Sequence, residues 1–333
     1  MGIFGDLRVE LDPWQVDYGA ELPLEGAEQS GPDEQIVLDV EVTAGEWRPI
    51  RPSASALPSQ LIFVDGVRRI EARLIIRRQM RLCHGAFGSL AVGAVRVANS
   101  IASRDEARVG RMIVIGSGEA LADPVTVSDG LVYEPVSTLD SDADAPLRTI
   151  QERMRLAEER LGRDLADTGG ALVVADGPLT FEEAPRGAVL GYIKRIFKLY
   201  LPNEHLDLLA RLGAGQRTPL FALRSSRRFV RFSWFLRLAQ PRLGNSELAG
   251  IARLEVSEAV GLDAASRLAD ASAAVLPRFV PGRWRDPRSP QNLLPIGALE
   301  ASLRHQMGDG RLIRRHIETL LAREAQDGYG ASP

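Results

Sequence analysis

Short apolar runs separated by turn residues dominate residues 61–117, and they predict β-strands. Apolar and β-branched residues alternate there with small or polar ones, as they do in a sheet covered on one face. The predicted strands are 61–65, 70–76, 86–98 and 111–117. Residues 147–166 instead repeat apolar side chains at helical spacing, and Gly169 and Gly170 end this helix. The fully apolar segment 171–179 predicts a further strand.

The second half of the chain mixes strand-like and helical patterns. Residues 187–212 are interpreted as a mixed helical segment. Strands are predicted at 218–224, 228–238 and 250–256, and helices at 262–276, 296–307 and 309–324. The first 56 residues are rich in glycine, proline and acidic residues, with short strand-like pieces. We therefore expect a loosely attached, acidic β-rich appendage (1–56), a main domain (57–324) and a flexible tail (325–333).

The order of these elements predicts the fold class. Three strands that follow one another closely form a meander, whereas the later strands need crossover helices. This gives an α/β fold with a mixed sheet flanked by helices, the ribonuclease H-like arrangement. In that arrangement the first strand and the strand after the long helix lie side by side.

Two of the predicted strands end in Asp-Gly, at Asp65-Gly66 and at Asp176-Gly177. Each pair is also an ordinary turn signal, because both residue types tolerate positive φ. Carboxylates at neighbouring strand ends would repel each other unless a divalent cation lay between them. Both interpretations, turn and metal ligand, stay open on this pattern alone.

Further ligands are available on the predicted helices. The helix before Asp176 can supply a third carboxylate, and the candidates are Glu152, Glu158 and Glu159. Glutamates on a helix are equally typical of a solvated face. His305 could bind a metal or protonate a leaving oxygen, although a lone histidine is more often structural. Oxygen ligands, with or without imidazole, suit Mg²⁺ or Mn²⁺, which activate water for hydrolysis.

The amino-acid composition is typical of a globular protein. Hydrophobic residues make up 45% and charged residues 26% of the 333 residues, which is ordinary for a globular protein. No apolar run reaches 18 residues, so we expect no membrane span, and the N-terminus lacks the pattern of a secretory signal. Cys83 is the single cysteine, which excludes an internal disulfide and a cysteine-based zinc site. A reducing cytoplasm fits.

The net charge is only −3, but acidic and basic residues are concentrated in different parts of the chain. Residues 1–50 carry twelve acidic residues against two arginines, whereas residues 208–246 carry eight arginines and no acidic residue. Within the second stretch, arginines alternate with aromatic residues at 228–238. This pattern fits nucleic-acid binding, with arginine on phosphate and aromatics on bases. It fits equally an amphipathic strand with its aromatics in the core and its arginines in solvent.

Six segments match, in the same order, the motifs of one nuclease family. They are "FVDG" (63–66), "VVADGPL" (173–179), "GYIKR" (191–195), "GQRTPLF" (215–221), "LPRF" (276–279) and "DPRSPQNLLPIGALEASLRHQMGD" (286–309). Over roughly residues 57–324 the chain resembles the bacterial branch of the NurA nucleases. The resemblance implies a ribonuclease H-like fold, a homodimer and a Mn²⁺- or Mg²⁺-dependent deoxyribonuclease. It also implies a HerA-like hexameric ATPase as partner, and 5′–3′ exonuclease and single-strand endonuclease activity in the resection of double-strand breaks.

The resemblance assigns the metal ligands. Asp65 and Asp176 match the family's aspartates, so Asp65 is predicted to be both a strand end and a metal ligand. Glu158 fits the family's glutamate best, and His305 corresponds best to its histidine. The alternatives for the glutamate are Glu152 and Glu159.

The resemblance also assigns contacts to DNA. Lys194 and Arg217 lie in matching motifs and are predicted to contact phosphate. A translocase that feeds DNA to a nuclease needs a basic channel, because phosphate contacts supply most of the sequence-independent affinity. The densest basic group, predicted to line such a channel, is Arg224, Arg227, Arg228 and Arg231.

One departure from the family pattern keeps a second function open. Relatives commonly have Tyr-Pro where this chain has Leu294-Pro295, so a hydroxyl near the scissile phosphate is missing. The alternative is therefore a catalytically inactive, ribonuclease H-like adaptor that couples an ATPase to DNA. A carboxylate-pair hydrolase acting on sugars is a weaker reading, because it needs one carboxylate kept protonated.

Overall fold

The computed structural model describes residues 2–12, 34–52, 58–167, 170–179, 188–196, 198–225, 228–241, 246–282 and 289–330. The first seven strands are β1 (Arg8–Leu11), β2 (Gln35–Val37), β3 (Gln60–Arg78), β4 (Arg81–Ala98), β5 (Ile101–Ile115), β6 (Val125–Ser128) and β7 (Leu131–Ser137). The later strands are β8 (Ala171–Asp176), β9 (Val189–Ile193), β10 (Phe221–Ser225), β11 (Arg228–Arg237) and β12 (Ile251–Ser257). The helices are α1 (Ala145–Asp167), α2 (Asn203–Arg211), α3 (Leu262–Val275), α4 (Leu294–Gln306) and α5 (Gly310–Gly330).

The central strands lie in the order β5-β4-β3-β8-β9. Strands β3, β4 and β5 form an antiparallel meander, β8 runs parallel to β3, and β9 runs parallel to β8. The sheet continues through β12, β11, β10 and β2 on one side, and through β7 and β6 on the other. The predicted fold class, a mixed sheet flanked by helices, is confirmed, and so is the side-by-side placement of the first strand and the strand after the long helix.

The predicted break between strands 61–65 and 70–76 is wrong. Strand β3 runs through Asp65-Gly66 without turning, and its hairpin turn to β4 lies at Gln79-Met80. The apolar residues on both sides of Asp65 keep one register with β4, in which Asp65 lies opposite Gly93. A register shift between Ile70 and Ala72 is the only irregularity in this pairing. Two residues that tolerate a turn do not make one when the flanking strands already pair.

The predicted mixed helical segment 187–212 is corrected in its first part. Val189–Ile193 form the strand β9, which is buried between β8 and β12, and helix α2 begins only at Asn203. A short apolar run inside a sheet shows no alternation, because both of its faces are covered, so its periodicity cannot distinguish strand from helix. Strands β6 and β7 were not predicted at all.

The described parts of the N-terminal region belong to the main sheet rather than to a loose appendage. Strand β1 pairs with the far end of β3, and β2 pairs with β10. The Glu41 carboxylate accepts hydrogen bonds from Arg217 and from the backbone of Leu220. At the other end of the chain, α5 continues into the predicted tail as far as Gly330.

Helices cover both faces of the central strands. Helix α1 packs with Ile150 and Leu161 on the face that carries Ile62 and Val64. The opposite face carries Leu61 and Phe63 and packs in one core with residues of α3 and α4. Successive side chains of a strand alternate between faces, so Asp65 lies on the side of α4. None of the described helices is long and apolar enough to cross a membrane.

Candidate metal centre

Three carboxylates from distant parts of the chain meet where β8 stops pairing with β3. Asp176 is the last residue of β8, Asp65 follows the last parallel pair of β3, and Glu300 comes from α4. One oxygen atom from each carboxylate lies within 4.8 Å of the others. The carboxyl ends of parallel strands are a common position for binding sites in α/β sheets.

Asp65 is the buried centre of this group, with 4% of its surface exposed. Its Oδ1 accepts a hydrogen bond from the backbone N–H of Gly66 at 2.8 Å, and its Oδ2 has no hydrogen-bond partner among the described residues. Burial raises the pKa of Asp65 well above its usual range, and the nearby charges of Asp176 and Glu158 raise it further. A buried carboxylate oxygen without a partner is costly unless a cation binds it. The oxygen-only donor set fits Mg²⁺ or Mn²⁺.

Two glycines next to Asp65 allow helices to approach it from both faces. A Cβ at Gly93 would lie 2.7 Å from the carbonyl oxygen of Glu106 and 3.0 Å from Leu303 of α4. A Cβ at Gly66 would lie 2.9 Å from Cγ of Glu158 on α1. Any larger residue at either position would therefore displace its neighbours. The missing side chains leave the space through which Glu158 and the helix of Glu300 reach the sheet.

Lys194 places an ammonium group among these carboxylates. Its Nζ lies 2.6 Å from Oδ2 of Asp176, 2.8 Å from Oδ1 of Asn292 and 3.4 Å from Oε1 of Glu300. Burial by itself lowers the pKa of Lys194, but the charges of Asp176 and Asp65 outweigh it and raise the pKa above the usual value. The predicted contact of Lys194 with phosphate stays a prediction.

The three candidate glutamates of α1 differ in how deeply they are buried. Glu158 is half-buried against Gly66, Glu152 is exposed, and Glu159 is buried. Burial, followed by the charge of Asp176, raises the pKa of Glu158 to about 8. Glu158 therefore lies close enough to influence the site electrostatically, although it is not one of the three carboxylates within 4.8 Å of one another.

Glu300, and not the predicted His305, supplies the α4 side chain of this group. His305 is exposed near the end of the helix. Glu300 was not predicted, although the sequence carries a signal for it: a charged residue interrupts an otherwise apolar stripe at helical spacing. The buried stripe of α4 and the turn after it is Ile296, Leu299, Glu300, Leu303 and Met307.

Much of the arginine-rich stretch lies inside the protein. All five N–H groups of Arg217 are used, by Asp270, Glu41, Ser266 and the backbone oxygen of Thr218. Arg231 is likewise buried, between Glu34 and Glu255. Most aromatics of β11 are core residues, as the amphipathic-strand interpretation expects, but Arg231 is buried instead of solvated. Arg217 lies outside this strand and is held in a buried ion pair.

The rest of the predicted basic group is described only in part. Arg224 is exposed on β10. Arg227 and the side chain of Arg228 lie outside the described residues. A DNA channel along this group therefore stays a prediction, with Arg224 as its described surface member.

Replacing Arg217 with methionine is expected to lower the free energy of unfolding by roughly 3–5 kcal/mol, because Glu41 and Asp270 would lose a buried counter-charge. Denaturant titration followed by circular dichroism measures this change. Arg224→Met is the exposed control and should change the free energy by less than about 0.5 kcal/mol. A loss below about 1 kcal/mol for Arg217→Met would contradict the structural role.

Comparison with solved structures finds a distant likeness, whereas comparison by sequence finds none. No protein-family model matches the chain, and no curated protein matches it by sequence. Among solved structures, the chain is similar to the NurA nuclease from Sulfolobus solfataricus, with 13% identity over 84% of this chain and 88% of that chain. The TM-score is 0.46, so this likeness carries no weight for function, which has to be inferred from the site itself.

Proposed function

We propose that this protein is a divalent-metal-dependent nuclease that hydrolyses phosphodiester bonds of DNA. The observation that carries the proposal is the buried Oδ2 of Asp65, which has no hydrogen-bond partner among the described residues and belongs to a group of three carboxylates within 4.8 Å of one another. Asp65, Asp176 and Glu300 would hold the cation. Because all three are oxygen ligands, Mg²⁺ or Mn²⁺ is the expected metal.

A bound divalent cation supplies a Lewis acid that polarises the phosphate and activates water. The residues of the chain then position the cation and transfer protons. Asp176 ends β8 and Asp65 lies within β3, so two of the ligands are held by the rigid sheet. Glu158 of α1 lies beside Gly66 and can take up or release a proton at its carboxyl oxygens.

The choice of DNA as substrate rests on how the motifs converge. Four segments that resemble the NurA nucleases contribute to one cluster, although they are far apart in the chain. "FVDG" contributes Asp65, "VVADGPL" Asp176, "GYIKR" Lys194, and the C-terminal motif Glu300. Segments with unrelated structural tasks would have no reason to meet at one point.

Finer parts of the proposal follow from the resemblance alone. They are Mn²⁺ as the preferred metal, 5′–3′ exonuclease and single-strand endonuclease activity, and a role in resecting double-strand breaks. They also include a homodimer and a HerA-like hexameric ATPase as partner. The inactive adaptor stays the second candidate, because the ammonium of Lys194 already neutralises part of the carboxylate group.

The test is cleavage of end-labelled single-stranded and double-stranded DNA by the purified protein. Reactions with Mg²⁺ or Mn²⁺ are compared with reactions in EDTA, in the presence and absence of the ATPase. We expect cleavage with the metals and none in EDTA. No cleavage in any divalent metal, with or without the ATPase, would favour the adaptor, and equal cleavage in EDTA would contradict the metal centre.

A further inference from the structure

Each N–H donor of the Lys194 ammonium can face an oxygen acceptor, and two of these acceptors belong to the three-carboxylate cluster. An ammonium group has three N–H donors, and Nζ of Lys194 has three oxygen neighbours, on Asp176, Asn292 and Glu300. Asp176 and Glu300 are also two of the three carboxylates that could hold a metal. The ammonium therefore binds ligands that the cation would need.

Repulsion makes the two positive charges compete for these ligands. Two like charges about 4 Å apart repel each other strongly even at the effective dielectric constant near a protein surface, about 20. A divalent cation bound by Asp176 and Glu300 doubles the charge that faces the ammonium. Lys194 must therefore give up at least one of these contacts when the cation binds.

The basic residue at this site is a lysine, whereas most basic residues of the chain are arginines. Lys194 and Lys198 are the two lysines among 41 basic residues. Three other carboxylates, of which Glu71 and Glu255 are buried and Glu41 is half-buried, are paired with arginine: Glu41 with Arg217, Glu71 with Arg69, and Glu255 with Arg231 and Arg253.

This difference suits a contact that must be broken. Arginine binds a carboxylate through a rigid, two-pronged group, whereas lysine is a compact charge on a flexible four-carbon chain. At the candidate metal centre the close contact is made by lysine, and the exposed Arg304 reaches Glu300 only at 4.0 Å, whereas the structural carboxylates named above have close arginine partners. The residue at 194 is thus the type that can move away without distorting its partners.

We propose that Lys194 is an exchangeable internal counter-ion, which holds Asp176 and Glu300 together in the metal-free protein and is displaced when a divalent cation binds. The inference rests on the proposed metal centre. Displacement frees the ammonium beside the cation, where it can meet an anionic group of the substrate. In the metal-free protein the same ammonium keeps α4 in contact with the sheet.

The presence of two lysines makes a direct test feasible. Protein labelled with ¹³C at Cε of lysine gives two lysine resonances, and Lys198→Arg assigns them. Titration with Mg²⁺ should shift the Lys194 resonance, while that of Lys198, which is exposed over the ring of Tyr200, should not move. An unmoved Lys194 resonance at Mg²⁺ saturation would overturn the proposal.

Calorimetry gives an independent measurement. Lys194→Met should bind Mg²⁺ at least roughly ten-fold more tightly than the wild type, since a competing charge is gone. Lys198→Met is the matched control and should bind as the wild type does. Equal affinity of Lys194→Met and wild type would overturn the exchange.

These outcomes separate the inference from the proposed function. If wild-type protein binds Mg²⁺ and cleaves DNA while the Lys194 resonance stays in place, the exchange is wrong and the nuclease stands. If neither wild type nor Lys194→Met binds Mg²⁺ or Mn²⁺, the metal centre itself is wrong, and the inference falls with it.

Discussion

Asp65→Asn is expected to abolish metal-dependent DNA cleavage while making the metal-free protein more resistant to denaturation. Asparagine keeps the shape of the side chain and an oxygen that can accept the hydrogen bond from Gly66. It removes the negative charge that a cation needs. Loss of the several kcal/mol that a bound metal contributes to the transition state corresponds to roughly 10³-fold in rate.

Asp65→Asn is expected to raise the stability of the metal-free protein although it lowers activity, because the pKa of Asp65 is raised in the folded protein. A raised pKa means that folding favours the protonated carboxyl, so stability is lost as pH rises through the folded pKa. A neutral asparagine escapes this loss. At pH 8 without metal, the denaturation midpoint of Asp65→Asn should therefore exceed that of the wild type.

Asp142→Asn is the matched control, because Asp142 is exposed and paired with Arg148 on the surface. It should leave cleavage unchanged. Near-normal cleavage by Asp65→Asn in Mn²⁺ would contradict the proposed role of Asp65. A lowered denaturation midpoint would contradict the unfavourable burial of its charge.

Glu300→Gln should weaken divalent-metal binding roughly 10–100-fold and reduce cleavage at least as much, because one of three ligands loses its charge. His305→Ala should leave both within about three-fold of the wild type, since an exposed surface position contributes little. Calorimetry with Mn²⁺ and the cleavage assay measure the two effects. The two substitutions lie on the same helix, which makes them a matched pair.

The reverse result would change the assignment of ligands. If His305→Ala lost metal binding and Glu300→Gln kept it, the metal would lie at the exposed side of α4 rather than between the helix and the sheet. Circular dichroism on both variants separates loss of a ligand from loss of the helix.

The order of the central elements could be predicted from the sequence because their patterns are local. The apolar strand 171–179 and the long helix before it were recognised by their own periodicity. Their neighbours in space followed from the connection rules for parallel strands. Strand β9 could not be recognised in this way, because its buried run of five residues shows the same apolar character in a helix.

Of the three carboxylates in the site, only the two on strands could be predicted from the sequence. Asp65 and Asp176 stand out because each follows an apolar run of the sequence and precedes a glycine. Glu300 depends on which face of α4 meets the sheet, and that face is set by Gly93, which lies more than two hundred residues earlier. His305 drew attention by its chemistry, whereas tertiary packing determined its exposure.

The three carboxylates come from positions 65, 176 and 300 of 333 residues, and this separation affects when the centre can form. During synthesis the N-terminal part of a chain emerges and begins to fold first. The sheet with Asp65 and Asp176 can pair before α4 exists, because the third ligand follows Asp176 by more than a hundred residues. A chain cut short anywhere before Glu300 would therefore lack the complete centre, and on the proposed function it would bind the cation more weakly and cleave DNA more slowly than a chain that carries all three carboxylates.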